Sequence, residues 1–257
     1  MDLQLTGKVA VVTGASRGIG RAIAETLAAE GARLGLAART RETLEPVVRA
    51  CGGETLAYPG DLREPAVPAA LVAAAVEKFG RIDILVNNAG ATKRGDFLAL
   101  GDEDWRDGFA LKFYAAMRCA RAAWPRLAAS QGCIVNVVGV AGRTGDAEFA
   151  IGGAVYAALL NLTKVLADRG YHDGVRVNAV NPGAIATARL QGRIRMLAVE
   201  QGVDTTSAAV QMVRKLGVAR FGEPAEIARV VAFLVSPAAS YCQGSAVDVD
   251  GGQTRTL

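Results

Sequence analysis

Short aliphatic and β-branched runs alternate along the chain with longer alanine-rich stretches in which apolar positions return every three or four residues. The short runs fall at 9–13, 33–37, 55–58, 82–86, 134–138, 176–180 and 246–249, and their near-continuous apolar character predicts strands buried on both faces. Helical periodicity covers 18–30, 41–50, 64–79, 103–129, 150–169 and 224–235. This alternation predicts an α/β fold: a Rossmann-type doubly wound parallel sheet of seven strands with helices on both faces. Its ligands should lie at the carboxyl ends of the strands. No linker, repeat or low-complexity segment divides residues 1–257, so the chain reads as a single dinucleotide-binding domain. Residues 188–218 interrupt the alternation and are expected to form a small lid over the strand ends.

Composition narrows the function classes. A chain that is 51% hydrophobic and 21% charged is not disordered, and its length can bury a sizeable core. The net charge of +4 comes without a Lys/Arg run, which argues against nucleic-acid and membrane partners and leaves a small-molecule substrate. Cys51, Cys119, Cys133 and Cys242 are scattered without CxxC spacing or a histidine cluster, so neither disulfides nor a metal site are expected. The first strand begins too early to leave room for a signal peptide, and no apolar stretch approaches the roughly 18 residues of a membrane span. These features predict a cytoplasmic protein.

After the first strand the chain reads Thr13-Gly14-Ala15-Ser16-Arg17-Gly18-Ile19-Gly20. Glycines at 14, 18 and 20 permit a tight turn and close backbone approach to a pyrophosphate at the N-terminus of the following helix. The second strand ends Ala37-Ala38-Arg39-Thr40-Arg41. A carboxylate there would take the ribose 2′-hydroxyl of NAD. Arg39, with Arg17 from the loop, favours the 2′-phosphate of NADP(H) instead. Arg41 begins the next helix and could equally face water.

Further motifs stand at Asp61-Leu62, Asn87-Asn88-Ala89-Gly90, Asn181-Pro182-Gly183 with Ile185 and Thr187, 220–224 and Asp250-Gly251-Gly252. With the glycine loop they make the chain resemble a compact short-chain dehydrogenase/reductase over essentially its whole length. The resemblance implies that Asp61 and Leu62 hold an adenine, that Asn87, Ala89 and Gly90 line the ribose and phosphate path, and that Pro182, Gly183, Ile185 and Thr187 clasp the nicotinamide end. It also implies a homodimer or homotetramer through helices 103–129 and 150–169. Their excess of apolar residues, such as 154, 155 and 157–160, points the same way.

The family's proton chemistry uses Asn, Ser, Tyr and Lys, and here the chain departs from it. In register with the strand at 134–138, the serine position is Gly139, the tyrosine position thirteen residues on is Gly152, and the lysine position is Tyr156. The asparagine position, seven after Trp105, is Lys112. Taking Tyr156 as the family tyrosine puts Leu160 at the lysine position, so no register restores the motif. The alkoxide formed by hydride transfer still needs a proton donor. The candidate is a relocated pair in which Tyr156 works beside the cation of Lys112. In the alternative, Tyr156 fills the space of the lost lysine and Lys112 reaches solvent. Lys93, Arg94, Arg143, Asp146 and Glu148 are further candidates near the cleft, a carboxylate among them serving as acid if burial raised its pKa. His172 is expected in the turn 170–174 at the opposite end of the sheet, on the surface. Arg189, Arg193 and Arg195 in the lid hint at an anion.

Three functions fit this sequence: an NADP(H)-dependent oxidoreductase, reducing a carbonyl or oxidising an alcohol by an altered mechanism; a cofactor-binding protein without redox turnover, acting as sensor or partner; and non-redox chemistry on the same fold. The retained nicotinamide-end residues favour the first.

Overall fold

The computed structural model describes residues 2–255. Among these, β1 (Val9–Thr13), β2 (Arg33–Ala38), β3 (Thr55–Pro59), β4 (Ile84–Asn87), β5 (Cys133–Val137), β6 (Arg176–Pro182) and β7 (Ala246–Val249) form one parallel sheet in the order β3-β2-β1-β4-β5-β6-β7. The chain order reverses between β1 and β4, which opens a crevice at their carboxyl ends.

β1 shows why these runs become central strands. All five residues are buried, with Ala10 and Val12 in the core on one face and Val9 and Val11 in the core on the other. Burying each such valine contributes about 2 kcal/mol, and a strand apolar on both sides is stable only between two helical layers. One layer comprises α1 (Gly18–Ala29), α2 (Arg41–Cys51) and α9 (Pro224–Val235), which bring Ile23, Leu27, Leu44, Val47, Ile227 and Val231 onto the sheet. The other comprises α3 (Val67–Phe79), α5 (Ala115–Ser130) and α6 (Ala150–Asp173), through Leu71, Phe79, Cys119, Leu127 and Ala167.

The expected helix 103–129 exists as a rod with an irregularity in it. α4 (Asp102–Phe109) passes into a π-helical turn, Ala110–Tyr114, before α5 begins. The wider turn carries Lys112, and such bulges commonly serve functional sites. α6 runs four residues past its expected end and stops at Gly174, whose φ of +72° forms a left-handed cap. His172 therefore lies in the last helical turn rather than in a loop, although it is exposed as expected. β4 starts two residues late because buried Asp83 accepts a hydrogen bond from Val9 N through its side chain and pairs with Arg81 and Lys8.

The 188–218 insertion forms α7 (Ala188–Gln201) and α8 (Thr205–Leu216), packed on each other through Leu190, Ile194, Ala198, Ala208 and Met212. Asp204 caps α8 by accepting from Thr206 N and Ser207 N at 2.8 and 2.9 Å. One expectation needs correction. The helical segment Ala147–Asp173 is long and apolar enough to cross a membrane by length and composition, with a mean hydropathy of 1.5 over 18 residues. The physical reason is its alanine-rich surface. Ile151, Val155 and Leu159 are buried, while Ala154, Ala157 and Val165 are exposed.

Candidate active site

The crevice is built by mutual closure of three segments. Thr13, at the end of β1, donates its hydroxyl to Val86 O and accepts from Asn88 N and Ala89 N at 3.0 and 3.1 Å, tying the ends of β1 and β4 together. Gly14 adopts φ +66°, and a Cβ there would lie 2.8 Å from Ala89 Cα. A Cβ on Gly20 would meet Gly14 O at 2.2 Å, so side chains are excluded from both positions. Gly18 faces Thr187 at the head of α7, and a Cβ on Gly183 would meet Asp250 at 2.7 Å. The glycine loop, the 87–90 turn and the 182–187 segment thus line one narrow cradle.

α1 starts at Gly18 without a side-chain cap, leaving its first backbone N–H groups aimed at the crevice. Ser16 and Ile19 are half-buried beside it, while Arg17 and Arg39 are exposed, with no carboxylate within ion-pair distance among the described residues. A dinucleotide fits this cradle: free donors for a pyrophosphate, backbone bare of Cβ atoms and two free guanidiniums. Asp61 sits at the far end with its carboxylate drawn to Arg63 at 3.3 Å, above buried Leu62. Pro182 ends β6, Ile185 is buried and bridges to Gly222, and the hydroxyl of Thr187 accepts from Leu190 N to cap α7.

Asn87, expected to line the ribose path, also anchors the floor of the crevice. Its amide donates to Asn136 Oδ1 at 2.9 Å; Asn136 donates to Thr163 Oγ1 at 2.9 Å, and Thr163 donates to Leu159 O. This buried chain fixes β4, β5 and α6 relative to one another beneath the crevice. The sequence reading missed it because neither Asn136 nor Thr163 belongs to a recognisable spacing.

The two glycines expected at the serine and tyrosine positions each lie against an aromatic ring. Gly139 has φ +137°, and a Cβ there would fall 2.6 Å from Tyr156 Cε2. The Tyr156 ring therefore covers the place where a serine side chain would stand. A Cβ on Gly152 would fall 2.0 Å from Phe149 Cζ, so the Phe149 ring fills the space in which a side chain at 152 would begin. The two rings meet edge to face, with centroids 5.6 Å apart. Phe149 was not singled out from the sequence; the glycines at 139 and 152 with aromatics nearby were the available signal.

Lys112 does not reach solvent. It is 4% exposed, and Nζ donates to Val137 O at 2.5 Å and to Asn88 O at 3.5 Å, 5.7 Å from the centre of the Tyr156 ring. A Cβ on Gly90 would meet Lys112 Cδ at 2.5 Å, so Gly90 makes room for the ammonium at the crevice. Burial, with Arg189 nearby, pushes Lys112 down to about 7. Burial pushes the Tyr156 phenol up, partly offset by Arg189 and Arg94. Tyr156 Oη has no hydrogen-bond partner among the described residues, and the Lys112 ammonium lies beside its ring rather than on its hydroxyl.

Four of the five remaining candidates are held in ion pairs. Arg143 donates to Asp248 Oδ2 at 2.5 Å, Lys93 pairs with Asp104 at 2.9 Å, and Arg94 pairs with Asp146 at 3.0 Å while lying 4.0 Å from the centre of the Phe149 ring. Partial burial works to raise Asp146, but its hydrogen bond from Arg94 holds it below the usual carboxylate range. It therefore does not meet the condition set for an acid. Arg189 donates to Gly90 O at 2.6 Å, across the crevice from α7.

A doubly wound sheet with a glycine cradle at its switch point defines a dinucleotide-binding protein. The family model described as enoyl-(acyl carrier protein) reductase matches residues 14–254. The 3-oxoacyl-acyl-carrier-protein reductase of Vibrio cholerae is 36% identical over 251 residues, covering 97% of this chain and 98% of its own. The meso-2,3-butanediol dehydrogenase of Serratia marcescens is 33% identical over 253 residues, covering 98% and 96%. The structure of L-sorbose reductase from Gluconobacter frateurii, complexed with NADPH and L-sorbose, covers 100% of both chains with a TM-score of 0.96 at 35% identity. The chain belongs to the short-chain dehydrogenase/reductase family of oxidoreductases.

Proposed function

We propose that this protein is an NADP(H)-dependent oxidoreductase that reduces a carbonyl, or oxidises the corresponding alcohol, with Lys112 and Tyr156 in place of the family's Ser, Tyr and Lys. The observation that carries the proposal is the buried Lys112 ammonium, pushed down to about 7, in the crevice beside the Tyr156 ring. Bound NADPH supplies the hydride. Gly14, Ser16, Gly18, Ile19 and Gly20 hold the pyrophosphate, Arg17 and Arg39 take the 2′-phosphate, and Asp61 and Leu62 border the adenine. Asn87, Ala89 and Gly90 line the ribose and phosphate path, and Pro182, Gly183, Ile185 and Thr187 clasp the nicotinamide end.

The two pKa directions divide the labour. Tyr156 keeps its proton at neutral pH and hydrogen-bonds the carbonyl oxygen over Gly139, where a serine hydroxyl would otherwise stand. Lys112 titrates near neutrality, so its Nζ delivers the proton to the developing alkoxide and takes it back in the reverse direction. The exposed apolar surface of α6 supports a homodimer or homotetramer that also uses α4 and α5; the whole chain acts as one domain in the cytoplasm.

Titration with NADPH, followed by cofactor oxidation across a carbonyl panel, tests the reading. Saturable binding with turnover that Lys112→Met lowers by about 100-fold or more supports it. Turnover unchanged in both Lys112→Met and Tyr156→Phe removes the pair. Binding without turnover leaves a cofactor-binding protein that does no redox chemistry.

A further inference from the structure

We infer that the mouth of the crevice holds an oxyanion between Arg94, Arg189 and Arg193, so that the substrate is an anionic carbonyl compound: an oxo acid or a phosphorylated ketone. This rests on the oxidoreductase reading and adds the substrate class to it.

Arg189 and Arg193 stand four residues apart on α7 and share one face of that helix, an arrangement of like charges that is unfavourable unless an anion lies between them. Arg189 reaches over the crevice to Gly90 O at 2.6 Å, which places its guanidinium next to Lys112 and Tyr156. Arg94 comes from the opposite wall, flat against the Phe149 ring that fills the space beside Gly152. Arg193 is half-buried; its charged form is disfavoured by burial first and then by Arg94, against a pull from Asp146 and Glu148. Among the described residues neither Arg189 nor Arg193 has a carboxylate within 4.0 Å.

The local balance is uneven. Arg193 is drawn to Asp146 and Glu148, Asp146 is already taken by Arg94, and among the described residues no carboxylate pairs with Arg189 or Lys112. Guanidiniums left in excess at a partly dry site offer paired N–H donors to a carboxylate or phosphate, and a bound anion relieves their mutual repulsion. Because Arg189 lies close to both Lys112 and Tyr156, the anion sits a few bonds from the carbonyl being reduced.

Calorimetric titration of the protein, without cofactor and again saturated with NADP⁺, tests the assignment with four probes: acetoacetate and its methyl ester, dihydroxyacetone phosphate and dihydroxyacetone. The expected result is saturable binding of at least one charged probe, at least tenfold tighter than its neutral counterpart. That affinity should fall about tenfold or more in Arg193→Met and in Arg189→Met, while NADP⁺ affinity stays unchanged. Which charged probe binds tighter identifies the anion as carboxylate or phosphate. Equal affinity for charged and neutral probes, or charged-probe binding unaltered in both variants, overturns the inference. Should Arg193→Met fail to fold, exposed Arg189→Met carries the test. A protein that binds the charged probe through these arginines but never binds NADP⁺ or NADPH would refute the oxidoreductase reading and leave the anion site standing.

Discussion

Replacing Lys112 by methionine should stabilise the protein, and the gain should depend on pH. In the folded chain Lys112 is buried and pushed down to about 7 from its ordinary 10.5. That gap corresponds to about 4–5 kcal/mol of folding free energy. The unfolded chain keeps this proton up to pH 10.5, whereas the folded chain releases it near pH 7. Between those values the unfolded state binds more protons, so stability rises with pH through the window and the cost is fully present below it. Methionine fills a similar volume without a charge. It leaves Val137 O and Asn88 O without their donor, which costs back about 1–2 kcal/mol. The net expectation at pH 6 is a Met variant about 3 kcal/mol more stable than wild type, with the difference narrowing by about 2.5 kcal/mol by pH 9. Urea denaturation of both proteins without cofactor, at one protein concentration and at several pH values, reads this directly. A difference independent of pH, or a variant less stable at pH 6, refutes the picture of an ammonium held at energetic cost for use.

Three further outcomes follow from the same geometry. The kcat/KM for carbonyl reduction should fall about tenfold per pH unit above pH 7, as Lys112 loses its proton, and alcohol oxidation should show the opposite limb; stopped-flow rates across pH would check both. Gly139→Ser should lower stability by about 2–4 kcal/mol, because its Cβ would strike Tyr156 Cε2 and the backbone there has φ +137°; much of the loss should return in Gly139→Ser combined with Tyr156→Gly, measured by thermal unfolding. Arg39→Glu should weaken NADPH by about tenfold or more and spare NADH, as read by fluorescence titration of each reduced cofactor.

Periodicity and spacing revealed the strand–helix alternation well, since β1, β7 and α9 lie at their expected residues. That success has a cause: strands buried on both faces leave a hydrophobic run that few other structures tolerate. The cradle was equally readable, because only glycine meets the close approaches at positions 14 and 20. The catalytic end was readable only as a loss. The register names Gly139, Gly152 and Tyr156, but nothing in linear spacing says that Phe149 folds onto Gly152 or that a π-helical turn directs Lys112 inward. Both are tertiary outcomes. The overlong apolar α6 was misjudged for a related reason: alanines that look neutral in the sequence add up to a continuous apolar surface once coiled.

The pairing of Gly139 and Gly152 with aromatic neighbours carries an implication for substitution. A mutation placing serine at 139 collides with Tyr156, and one placing tyrosine at 152 collides with Phe149. On the proposed register, a side chain gained at either glycine alone meets a ring already in its place, so the two positions resist single substitutions. A side chain at 139 or 152 needs a second, compensating change at Tyr156 or Phe149 to be accommodated.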